Sequence, residues 1–182
     1  MSTDFLDFDI DNMYFDTPLP EKAEALINEA AEEYGSELSE LLLLRAYLLA
    51  PEHLTVMVAL YRYYYYQCRL EDALTVVMNA IRTSGNELHL NHDWRKVTET
   101  EVAAGAYRSV GIVRFYLLAL KAAGFVKLRI GDIEEGKEML RKVISHDPND
   151  RLKTVALLDV VESYTRKQEC DVELMVVAGG KL

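Results

Sequence analysis

The sequence predicts an all-α fold built from antiparallel helix pairs, and three observations lead there. Two segments, 70–81 (LEDALTVVMNAI) and 133–144 (IEEGKEMLRKVI), share an apolar opening, two acids, a small residue and then apolar positions at helical spacing. Their small residues, Ala73 and Gly136, suit close helix approach, and each is followed twelve positions later by a breaker, Gly85 and Pro148. Pro51 stands twenty-two positions before Ala73, and Arg129-Ile130-Gly131-Asp132 makes a short turn between two apolar stretches. Proline opening a helix, a short turn, and Gly or Pro closing the pair is the punctuation of helix-turn-helix units.

Composition bounds the function. A chain of 182 residues, half of them hydrophobic, suits one domain that buries about 70% of its unfolded surface. A net charge of −10 argues against a general phosphate-backbone binder and against an anionic membrane surface. Cys68 and Cys170 lie far apart with no CxxC or Cys/His zinc spacing, so a reducing, cytoplasmic setting is expected. The opening MSTDFLDFDID is acidic and does not have the form of a secretory signal. The apolar stretch 110–126 contains Arg114 and Lys121 and is too short to span a membrane, so a buried helix is expected there.

Taken in order, residues 1–17 form an acidic-aromatic arm and residues 18–167 a helical domain. Within that domain the sequence resembles the tetratricopeptide repeat (TPR) family, whose helix-turn-helix unit has a period of about 34 residues. The register places repeats at 20–53, 54–87 and 117–150. In the first, Leu26, Ile27, Ala30, Leu43, Ala46 and Pro51 occupy packing positions, with Ser39 in place of the usual alanine. Leu60, Tyr61, Tyr64, Ala73, Val77 and Ala80 do so in the second, and Ala123, Gly124, Gly136, Leu140, Val143 and Pro148 in the third. Ala23, Met57 and Leu120 stand where the family has tryptophan, and Lys127 where it has an aromatic. The resemblance implies a short right-handed superhelix. Ala73 and Gly136 are 63 positions apart, which is not two periods, so an insertion is expected at about 88–116, anchored by Trp94. Residues 151–167 make a capping helix, as terminal repeats need. Residues 168–182 form a tail for which an added strand or a docking peptide is an option.

The run YRYYYY at 61–66 divides between helix faces. With about 100° per residue, Tyr61 and Tyr64 share the core face with Met57, Leu60 and Cys68, which is therefore expected to be buried. Arg62, Tyr65, Tyr66 and Arg69 point elsewhere. The resemblance implies that first helices line a concave groove. That groove would receive Thr55, Val58, Arg62, Tyr65 and Tyr66 from the second repeat, Lys121, Phe125 and Arg129 from the third, and an acidic end, including Glu21 and Glu24, from the first. The candidate partner-binding set is Arg62, Tyr65, Tyr66, Arg69, Lys121, Phe125 and Arg129: cations for carboxylates and rigid aromatic contact area. The competing reading is that these tyrosines simply pack against neighbouring helices.

The arm interleaves Asp4, Asp7, Asp9, Asp11 and Asp16 with Phe5, Phe8, Ile10, Tyr14 and Phe15, a composition that orders on binding. It is a candidate occupant of such a groove, in its own chain or across a homodimer. For chemistry, HLNHDW supplies His89 and His92, a pair that can bind a metal from one helix face and would support a metal-dependent enzyme. A turn or cap around Asn91 and Asp93 is the alternative expectation. Glu134, Glu135 and Glu138 are expected to be a solvated face with Lys137, Arg141 and Lys142 as helical-spacing partners. No phosphate loop, GxGxxG or nucleophile elbow is present. The expectation is a non-enzymatic protein-interaction module without cofactor or metal: an adaptor, assembly factor or chaperone for an acidic, apolar protein segment. Type III secretion chaperones are also small, acidic and three-repeat, but the insertion departs from them. HDWRKVTETEV resembles small repeat proteins found beside nitrogen-fixation genes, which would imply a role with nitrogenase or its assembly.

Overall fold

The computed structural model describes residues 18–33 and 35–179, with side chains through Arg166. The arm expected at 1–17 therefore lies outside the described residues. The chain runs through α1 (Glu21–Glu32), α2 (Glu37–Leu49), α3 (Leu54–Tyr66), α4 (Leu70–Leu88), α5 (Glu99–Arg108), α6 (Val110–Arg129), α7 (Ile133–His146) and α8 (Thr154–Gly179). Among the described residues the helices pack in sequential antiparallel pairs, α1 with α2, α3 with α4 and α6 with α7; α4 packs on α6, α5 on α6 and α8 on α7. Among the described residues no helix is long and apolar enough to cross a membrane.

Local chemistry starts these helices. The Ser36, His53 and Ser109 side chains accept hydrogen bonds from the otherwise unsatisfied first-turn amides of α2, α3 and α6. The core follows from two helices that are apolar over most of their circumference. α3 buries Leu54, Val56, Met57, Val58, Leu60, Tyr61, Tyr63 and Tyr64, and α6 buries the run from Phe115 to Leu117 and most of 119–126. Each large apolar side chain among them contributes about 1.5–3 kcal/mol relative to exposure, so α3 and α6 carry much of the core. Buried Ser39 donates to the Ala30 carbonyl at 2.8 Å and so satisfies the end of α1.

The α3–α4 and α6–α7 turns have the same geometry. Cys68 (φ 58) and Gly131 (φ 92) both adopt the left-handed conformation just after their helix. The Cys68 amide donates to Tyr65 and that of Arg69 to Tyr64; correspondingly, the Gly131 amide donates to Leu128 and that of Asp132 to Lys127. This is the Schellman closure. The residues that lead into the next helices, Arg69 (φ −84, ψ 70) and Asp132 (φ −83, ψ 70), also match. Cys68 is exposed, not buried, because α3 ends at Tyr66 and the left-handed residue turns the chain off the core face. Across the α6–α7 pair, a Cβ at Gly136 would come within 2.9 Å of the Gly124 carbonyl oxygen, so glycine sets how closely these helices approach.

Two segments differ from expectation. The insertion expected at 88–116 holds a helix of its own: α4 ends at Leu88, a single 3-10 turn covers Trp94–Lys96, α5 follows, and α6 then begins at Val110, ahead of the third repeat expected from 117. Thr98 and Glu101 cap α5 reciprocally, a T-x-x-E box legible in TETEV. Helix α8 begins at Thr154 and continues to Gly179, so 168–179 is not an added strand. Its apolar periodicity simply continues that of 154–167.

Candidate functional site

The outward side of α3 carries the residues in question. Tyr61 and Tyr64 are buried, as their face requires. The Tyr64 hydroxyl donates to Glu40 at 3.1 Å, and burial together with that carboxylate pushes its phenol up to about 12. Tyr63 is also buried, and it forms part of the wall of a cleft of about 600 Å³ between α1 and α3. Arg62 and Tyr66 line the same cleft from α3, Ile27 and Ala31 from α1, and Leu43 from α2. The α1 wall is therefore apolar at the cleft itself. Val58, a groove position by resemblance, is buried instead.

Tyr65 connects this cleft to the next helix pair. Its ring meets Tyr66 edge-on at 5.5 Å between centroids, stacks on Tyr61 at 5.9 Å, and lies 6.3 Å from the tilted ring of Phe125 on α6. The exposed Arg129 guanidinium sits 5.6 Å above the Tyr65 ring. Such aromatic and cation–π contacts hold rings in fixed orientations. The result is a band, Tyr66–Tyr65–Phe125, with Arg62 near one end and Arg129 near the other. Neither arginine has an ion-pair partner among the described residues. Phe125 also packs against the cluster that Leu140 of α7 forms with Leu157 and Leu158 of α8.

Two members of the expected set belong elsewhere. Lys121 is buried, only 4% exposed, and its ammonium donates to the Leu152 carbonyl at 2.6 Å. Burial lowers its pKa while the Asp150 carboxylate opposes the shift. It ties α6 to the turn that precedes α8 and is not a groove cation, because its ammonium is buried against the Leu152 carbonyl of that turn. Arg69 bonds Glu40 at 2.6 Å and Asp72 at 2.7 Å and lies 4.5 Å over the Tyr64 ring. It follows the helix end and fastens α2 to the α3–α4 turn, so it does not line the cleft.

The histidine pair does not share a helix face. His89 (φ 59) closes α4 in a left-handed conformation, with its ring nitrogen 3.2 Å from the Asn86 and Glu87 carbonyls. His92 lies in the following loop, where Asn91 accepts from the Asp93 amide and Asp93 caps the 3-10 turn. Among the described residues no group of three His, Cys, Asp or Glu side chains is arranged to hold a metal ion. Nor is the acidic face of α7 simply solvated. Lys137 pairs with Glu134, but Glu135 and Glu138 hold Arg95 at 2.7 and 3.0 Å, and Glu135 also holds Lys127. Arg141 reaches Glu162 on α8, and Lys142 donates to the Arg95 carbonyl. Sequence spacing points to pairs within α7, whereas the tertiary fold brings partners from distant segments of the same chain.

No protein-family model matches the chain, and no solved structure matches it. The chain is 45% identical over 162 residues to a protein of Azotobacter chroococcum mcd 1 described as "Uncharacterized 19.8 kDa protein in nifW 5'region", an alignment that covers 89% of this chain and 90% of that protein. Identity of that extent over nearly the whole of both sequences places this chain in the family of that 19.8 kDa Azotobacter protein.

Proposed function

We propose that this chain is a non-enzymatic, TPR-like scaffold that binds an acidic, apolar protein segment along the band from the α1–α3 cleft to Arg129, and that it serves nitrogenase or its assembly. The observation that carries the binding reading is the pair of exposed guanidinium groups, Arg62 and Arg129, without carboxylate partners among the described residues, beside Tyr66, Tyr65 and Phe125. In a chain of net charge −10, cations left unpaired beside aromatic surface suit recognition of carboxylates flanked by apolar side chains. The repeat reading is supported by the matching closures after α3 and α6 and by the antiparallel pairing along the chain. Association with nitrogen fixation rests on the relative located in the nifW 5' region.

The test is affinity capture from nitrogen-fixing cells with the wild-type chain and with Arg62→Glu/Tyr65→Ala. The expected outcome is a nitrogenase or assembly component retained by the wild type and bound on the order of 30-fold more weakly by the variant, a loss of about 2 kcal/mol. Equal retention by both chains would remove the band as the binding surface. Capture of proteins unrelated to nitrogen fixation would remove the pathway.

A further inference from the structure

The second helix presents a face that the other described residues leave exposed. α2 buries Leu42, Leu43 and Ala46 against its neighbours, yet on the opposite side Leu38 is 43% exposed, Leu41 52%, Leu44 38% and Leu48 79%. With about 100° per residue these four leucines fall within one arc of the helix. A contiguous apolar patch of this kind marks an interaction surface.

Charge on the same face selects the occupant. Glu37 and Arg45 are exposed, lie four residues on either side of Leu41, and have no ion-pair partner among the described residues. Eight residues of helix hold them about 12 Å apart, too far to pair with each other. We infer that α2 docks antiparallel against α2 of a second copy of this chain, about a two-fold axis at Leu41. In that arrangement Leu41 meets its own counterpart, Leu38 comes level with Leu44 of the second copy, and Glu37 comes level with Arg45 of the second copy, twice by symmetry. An isologous interface needs such a self-complementary pattern. The acidic arm at 1–17 does not satisfy it: that segment carries five aspartates and no lysine or arginine, so it offers nothing to Glu37 but further negative charge. The dimer leaves the cleft between α1 and α3 open, and it stands or falls independently of the groove reading.

Sedimentation velocity on the full chain at micromolar concentrations, with circular dichroism as a check on folding, tests this. The wild type is expected at twice the 20.7 kDa chain mass. Glu37→Arg and Arg45→Glu each place like charges together and weaken dimerisation on the order of tenfold or more. Mixing these two single variants, or combining both changes in one chain, restores opposite charges and the dimer. Leu41→Asp abolishes the dimer while the chain remains helical. A wild type that stays monomeric to about 100 µM, or a dimer indifferent to all of these changes, overturns the inference. So does a dimer lost only on deletion of residues 1–17.

Discussion

The Lys121 ammonium and the Leu152 carbonyl, thirty-one positions apart, meet at 2.6 Å in the protein interior. Around them Asp147 accepts from the Leu152 amide, and Asp150 accepts from the Thr154 and Val155 amides that open α8. One buried cation therefore joins α6 to the turn before the last helix.

Lys121→Met keeps most of the volume and removes the donor, so a loss of about 1–2 kcal/mol is expected. Lys121→Ala adds a cavity and should lose about 2–4 kcal/mol. Urea denaturation measures both. Partner capture by either folded variant is expected to match wild type, and a variant of wild-type stability that fails in capture would return Lys121 to the groove.

Arg95 sits 4.3 Å over the Trp94 ring and is held by Glu135 and Glu138 of α7. It thereby clamps the segment leading into α5 onto α7. Since Arg95 is largely exposed, Arg95→Ala is expected to cost only about 1 kcal/mol, yet to speed amide exchange through 97–108 selectively. Trp94 is the only tryptophan, so a red shift in its fluorescence reports the same loosening. Unchanged exchange and emission would show that buried Trp94 alone anchors the segment.

His146, at the end of α7, has its pKa lowered from 6.5 by burial, with the Lys142 charge adding to the effect. The unfolded chain then takes up a proton near its ordinary pKa that the folded chain refuses until lower pH. Stability from this group is complete above about 6.5 and declines as pH falls through the folded value. Melting temperatures of the wild type and of His146→Gln, measured from pH 8 to 5, should diverge below that point, the wild type falling more steeply. Parallel profiles would show that His146 titrates alike in both states.

The helix pairs were legible because their signals are local. Gly131 after an apolar helix, Pro51 before α3 and the periodicity of 133–144 each act over a few residues, which is the range over which a helix starts, faces and ends. The same locality explains the error at Cys68: the period of 100° per residue holds only to the end of α3 at Tyr66, and two residues later the backbone is left-handed. Helix α5 announced itself in TETEV, but its capping box lay inside a stretch defined by spacing alone.

From its order of residues the chain determines the apolar faces of three helix pairs and a last helix, the division of YRYYYY into buried Tyr61 and Tyr64 and outward Arg62, and an acidic whole with a few cations near aromatics. Tertiary structure decided which cations remain open. Lys121 and Arg69 carry the same charge as Arg62 and Arg129, but a charge's role depends on what distant segments bring to it. The Leu152 carbonyl holds Lys121, and Glu40 of α2 captures Arg69, while no described carboxylate reaches Arg62 or Arg129. Local periodicity fixes where a side chain points. Only the packing of segments far apart in sequence fixes what it meets, because Coulombic and hydrogen-bond partners act through space and not along the chain.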